Sequence, residues 1–207
     1  RQADMRIRSV INEFELNIEA LYAIRAFYDS SVFVDRDEFS QFASLLIQRH
    51  NGVQALEWVP RVSAVKRPEF ERALIDYGLE SAHGQSGFKR WTLEKGWHRQ
   101  TTDWAEYYFP VFYVEPYQGN EAALGIDLAS SPTRAPSINQ ALTSGKLSMT
   151  PPIDLAQGVN GILAFLPVYS KITDTNASAE PQVLGLATGV FVIGSIVQSA
   201  LEKFSDT

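Results

Sequence analysis

From Arg1 to Tyr28 the chain has neither glycine nor proline. Ile7, Ile11, Phe14, Ile18, Leu21 and Tyr28 fall at alternating four- and three-residue steps, broken only where Arg25 takes the expected slot. This spacing draws one apolar stripe along an amphipathic helix of about seven turns. The stripe has two possible uses: packing against the chain's own domain, or pairing with the same stripe of a second copy. The periodicity leaves both open.

The rest of the chain is punctuated differently. Asp35, with Glu38 three positions on, makes a capping box that opens a second helix over Arg36–Arg49, and Asn51-Gly52 closes it. Val53–Val62 reads as a strand with Pro60 near its end. A third helix is expected over Pro68–Tyr77, before a Gly/Ser loop from Ser81 to Gly87. Beyond that lie runs rich in Val, Ile, Leu, Phe and Tyr: Tyr107–Val114, Ala122–Leu128, Gly161–Tyr169 and Val183–Ile193. A short helix over Pro136–Thr143, stopped by Gly145, and the stretch Met149–Leu155 stand between the second and third. The polar run Thr173–Glu180 joins the last two. Ser195–Phe204 reads as a helix again. Helices, then a mostly antiparallel sheet, then a helix give an α+β fold: a long N-terminal helix followed by a sheet domain with flanking helices.

The net charge of −6 disfavours nucleic acid and anionic lipid as partners. With no cysteine, disulfides, thiol catalysis and cysteine zinc sites are excluded. The longest apolar run, Val183–Val197, is cut by Gly185, Gly189 and Gly194 and falls short of a bilayer span. No signal peptide is seen, and Arg1 in place of Met reads as part of a longer protein.

Catalytic patterns are missing. His50, His83 and His98 stand at no metal-binding spacing, and each reads as a surface histidine. There is no nucleophile elbow or phosphate loop; Ser86 follows no strand, and Asn176-Ala177-Ser178 is a three-residue match of the kind chance supplies. The expectation is no catalytic residue, no metal and no cofactor. Binding chemistry is better represented. Trp104, Tyr107, Tyr108, Phe109, Phe112, Tyr113 and Tyr117 crowd into a short stretch, and alternation along a strand divides them between two faces. Asp127 sits inside an apolar run, Ala123–Leu128, where a carboxylate is costly without a partner. It reads either as a structural cap or ion pair, or as an acceptor for ligand N–H groups.

At this point the sequence resembles the CHASE (cyclase/histidine-kinase-associated sensory extracellular) domains. Val53-Gln54-Ala55-Leu56-Glu57-Trp58-Val59-Pro60-Arg61-Val62 is similar to their opening block, and Glu106-Tyr107-Tyr108-Phe109-Pro110-Val111 to their aromatic-Pro-Val strand. Gly119–Leu128, Thr143-Ser144-Gly145-Lys146 with Met149-Thr150-Pro151-Pro152, and Phe165-Leu166-Pro167-Val168-Tyr169 follow in the family's order, over about Val53 to Leu201.

The resemblance implies a stalk helix carrying a PAS-like sheet domain, the membrane-distal part of a CHASE/Cache-like receptor. It divides the chain into 1–50 (stalk and second helix), 51–194 (ligand-sensing domain) and 195–207 (start of a helical linker). It implies an extracytoplasmic, periplasmic sensor of a bacterial transmembrane receptor whose output is a histidine kinase or a cyclic-di-GMP enzyme, with two copies pairing along the stalk. In cytokinin-binding members an Asp before the short helix reads the purine. Asp127 holds that place, and Met149 aligns with a neighbouring pocket position where Leu is usual. With Tyr107, Phe112, Tyr113 and Phe165 these make the expected site for an unknown small molecule bearing N–H donors. The rival expectation is a module that reads a periplasmic protein, its pocket filled by side chains.

Overall fold

The computed structural model describes residues 2–77, 87–155, 160–171 and 181–205. Helix α1 (Gln2–Ser30) leads into α2 (Arg36–Ile47), whose capping box forms as read: the Asp35 carboxylate accepts from Glu38 N at 2.8 Å, and Asp35 N donates to Glu38 Oε2 at 3.0 Å. Strands β1 (Val53–Pro60) and β2 (Val62–Ser63) precede α3 (Arg67–Asp76), then the hairpin β3 (Lys89–Thr92) and β4 (Gly96–Arg99). After β5 (Tyr107–Tyr108) and β6 (Tyr113–Glu115) come α4 (Ala135–Ser144), β7 (Ser148–Met149), β8 (Ile153–Asp154), β9 (Asn160–Tyr169), β10 (Val183–Val192) and α5 (Ile193–Ser205).

The main sheet is antiparallel, in the order β6-β1-β10-β9-β7, with β8 also on β9. Its central strands are apolar on both sides because both sides are covered. On one side Leu56, Trp58, Leu166, Ala187 and Phe191 meet Leu21 and Ile24 of α1, Phe39 and Ala43 of α2 and Ile196 of α5. On the other side Ala55, Val59, Leu163, Phe165, Leu186 and Val190 meet Ile138 and Ala141 of α4 and the irregular chain around Phe109, Leu124 and Leu128. Gly189 lets α1 approach, since a Cβ there would stand 2.7 Å from the Phe191 ring and 3.2 Å from Leu21.

Helix α1 packs on its own domain, but through a face rotated from the expected stripe. Glu13, Asn17, Ala20, Leu21 and Ile24 are buried, whereas Ile7 is 58% and Ile11 50% exposed. The cause lies in α5, which runs antiparallel beside α1. Ser9 Oγ donates to Ala200 O at 3.0 Å, and the buried Glu13 carboxylate accepts from Ser199 Oγ at 3.1 Å and Lys203 Nζ at 2.6 Å. Asn17 likewise accepts from Gly52 N at 3.0 Å.

Two expected strands are corrected. Tyr107–Val114 is broken: β5 pairs with β2 and β6 with β1, and Pro110 between them makes only an isolated bridge to Asp127. Ala122–Leu128 is not a strand. It holds a 3-10 turn at Glu121–Ala123, a left-handed Gly125 (φ 74°) and another 3-10 turn at Leu128–Ser130, because a left-handed residue turns the chain out of extended geometry. Conversely, the β3–β4 hairpin falls between the Ser81–Gly87 loop and Tyr107, where the sequence predicts no element. The Ser81–Gly87 loop (apart from Gly87), His83, Ser86 and the Thr173–Glu180 connection lie outside the described residues.

Candidate functional site

On the sheet face opposite α1 lies a cavity of about 520 Å³, within the size range of small-molecule sites. Val111, Ile126, Leu128, Leu155, Leu163 and Val190 give it apolar walls; Glu57, Lys89, Trp97, Asn120, Arg134 and Asp154 supply its polar and aromatic groups.

Strand alternation positions Glu57. Ala55, Glu57 and Val59 point to this face while Leu56 and Trp58 point to α1 and α2. Flanked by β6 and β10, Glu57 is only 5% exposed, and its Oε2 has no hydrogen-bond partner. Burial pushes its carboxyl up to about 7, partly opposed by the Arg134 guanidinium. Its cross-strand neighbour Thr188 also has a buried Oγ1 without a partner. Arg134, at the start of α4, donates through Nη1 to Ser131 Oγ at 3.2 Å and lies 5.5 Å from the Trp97 ring centroid. Its Nε is buried and unpartnered, and burial lowers its pKa against the pull of Glu57. No hydrogen bond joins Glu57 to Arg134, although each acts on the other's titration. Lys89 Nζ donates to Ala122 O at 2.6 Å, and burial, then the neighbouring Arg99, brings its ammonium down to about 8.

The residues singled out from sequence are dispersed, and none of the six is among those lining this cavity. Asp127 is 1% exposed, its carboxyl raised by burial against hydrogen bonds to its ionised form. Oδ1 accepts from Phe109 N at 2.8 Å and Oδ2 from Trp104 Nε1 at 3.0 Å, so the chain itself supplies its donors while neighbours Ile126 and Leu128 line the cavity. Phe165 is fully buried in the apolar cluster beneath the cavity. Phe112 and Tyr113 lie across the sheet against α2 and α3, Phe112 5.1 Å from Phe70 and Tyr113 5.6 Å from Phe39 between ring centroids. Met149 borders an apolar groove between α1 and α5. Tyr107 is 37% exposed, under the Arg61 guanidinium.

Sequence reasoning missed Glu57, although it carries the same signal as Asp127, an acid within an apolar run. Arg134, Lys89 and Trp97 carried no comparable mark. Among the described residues no group of His, Cys, Asp and Glu could hold a metal ion, and no helix is long and apolar enough to cross a membrane.

Comparison with known proteins adds three findings. A family model described as "CHASE domain" matches residues 33–207. Hybrid signal transduction histidine kinase A of Dictyostelium discoideum is 24% identical over 183 residues, covering 82% of this chain. An extracellular ligand binding receptor from Desulfohalobium retbaense DSM5692 matches 95% of the chain at a TM-score of 0.53 and 12% identity, a likeness of fold. The chain spans 8% of the kinase's length and 26% of the receptor's.

Proposed function

With residues 33–207 matched to its model, this chain belongs to the CHASE domain family, and from that premise we propose that it is an extracytoplasmic small-molecule sensor of a transmembrane signalling receptor. Residues 51–194 form the sensing unit, and 1–50 and 195–207 the helical frame that reports on it. The histidine kinase among its relatives supports a signalling-enzyme parent; we take that parent to be a histidine kinase or a cyclic-di-GMP enzyme, with this chain binding and not catalysing.

The observation that carries this reading is Glu57: a carboxyl group 5% exposed, at a cavity wall, with one oxygen unpartnered. An unsatisfied buried acceptor of this kind costs about 1–3 kcal/mol, and a bound molecule that draws the side chain toward the cavity and donates to it recovers that cost. Asp127 acts from behind the wall, holding Trp104 and Phe109 so that Ile126 and Leu128 keep their places. Occupancy biases the receptor only through its difference in affinity between two arrangements of the sheet and helices.

The test is a thermal-unfolding screen of the chain against purines, amino acids and small carboxylates, repeated on Ala123→Trp, which plugs the cavity from its partly exposed rim. A compound that raises Tm in the wild type and not in the plugged variant supports the reading; one that stabilises both equally refutes it.

The exposed Ile7, Ile11 and Met5 on α1 support pairing of two copies along the stalk. Sedimentation of the Ile7→Glu, Ile11→Glu double variant tests it: a dimer that persists unchanged counts against that interface.

A further inference from the structure

The cavity's polar groups specify a ligand class more narrowly than its size does. Glu57 Oε2 accepts and Arg134 Nε donates, both are buried, and neither has a partner. Had the two side chains been meant only for each other, a direct ion pair would satisfy both atoms at once. Instead they border the same cavity without a hydrogen bond between them. Around them Leu128, Leu155, Leu163 and Val190 are apolar, and Trp97 lies against the Arg134 guanidinium. Lys89 adds a second cation to the lining.

We infer that the cavity takes a small monocarboxylate carrying an N–H or O–H donor on the adjacent carbon and an apolar tail. Its acid group meets Arg134, its donor meets Glu57 Oε2, and its tail lies against Leu155, Leu163 and Val190. The inference rests on the cavity being the ligand site, as proposed above. A neutral ligand leaves Arg134 Nε facing apolar surface. Above pH 7, where the Glu57 carboxyl is ionised, a carboxylate without the donor sets a second anion beside it, and an amine without the acid adds a cation beside Arg134 and Lys89. Each mismatch carries the penalty of a buried polar group left unpaired, and sites built on such pairing reject analogues lacking one group.

The experiment is calorimetric titration of the chain with five probes: L-leucine, 2-hydroxy-4-methylpentanoate, 4-methylpentanoate, 3-methylbutylamine and adenine. The first two are expected to bind at least about tenfold more tightly than the other three. Glu57→Gln should narrow the gap between leucine and 4-methylpentanoate, and Arg134→Gln the gap between leucine and 3-methylbutylamine. A side chain that merely supports the fold weakens all probes alike. Equal binding of the acid with and without its donor, preference for adenine, or no binding by any of the five overturns the ligand class. Adenine binding that Ala123→Trp abolishes removes the class and leaves the cavity reading standing; binding that survives the plug removes the cavity reading.

Discussion

Replacing Glu57 by Gln tests the electrostatics of the cavity directly. Gln matches the neutral carboxylic acid in shape and cannot ionise. In the folded chain the Glu57 carboxyl titrates near 7, against 4.5 for an unperturbed glutamate. Between these values the folded state holds a proton that the unfolded state has released, so stability falls as pH rises from 4.5 through 7 and is flat beyond. The full difference is worth about 3 kcal/mol, of which about 1 kcal/mol is already spent at pH 5. Relative to wild type, Glu57→Gln therefore gains about 2 kcal/mol of stability between pH 5 and pH 8. For a chain of this length that is about 4–8 °C in Tm. Urea unfolding of both proteins at the two pH values measures it, and every other titrating group cancels in the comparison. Parallel behaviour, with the same difference at pH 5 and pH 8, refutes the argument. It would mean that Arg134 or solvent stabilises the ionised carboxylate as well as water does.

Other perturbations probe the frame. Lys89 titrates at about 8, below the 10.5 of an unperturbed lysine, so its contribution to stability rises as pH climbs from 8 through 10.5; Lys89→Met should abolish that rise in thermal scans from pH 7.5 to 10.5. Trp104→Phe withdraws the indole donor from the buried Asp127 carboxylate and should cost about 1–3 kcal/mol in urea unfolding; a loss under half a kcal/mol would show that the bond is dispensable. Gly189→Ala drives a Cβ to 2.7 Å from the Phe191 ring in the core and should cost about 1–3 kcal/mol, with Tm as the readout. Glu13→Ala leaves Ser199 and Lys203 without their shared acceptor; hydrogen exchange should quicken in α5 before the sheet.

How much of this was legible depended on how local its cause is. The capping box of Asp35 and Glu38 and the stop of α4 at Gly145 are settled within a few residues, and the sequence alone predicts both. The long helix was read from its spacing, but which face it buries is decided by Ala200 and Ser199, more than 180 positions away. Ala122–Leu128 looked like a strand by composition; the left-handed turn at Gly125 and the bridges to Lys89 and Pro110 dictate otherwise. Trp91 and Trp97 pair across a hairpin turned at Gly96 (φ 61°), a signal masked by the surrounding charges. For the site, sequence could say that an acid in a greasy strand must have a reason. It could not say that Trp104 supplies the reason for Asp127 while Glu57 is left with an unpartnered oxygen.

The junction of β10 and α5 has a mechanical consequence. Val190, in the cavity wall, is followed within three residues by Ile193, the first of the helix, with no loop between to absorb a displacement. Strand and helix are thus continuous, and α5 is keyed to α1 through Glu13. Sliding α5 by one turn, about 5.4 Å, brings Ser195 to where Ser199 stands and Ser199 to where Lys203 stands, so the acid keeps hydroxyl partners and gives up its ammonium.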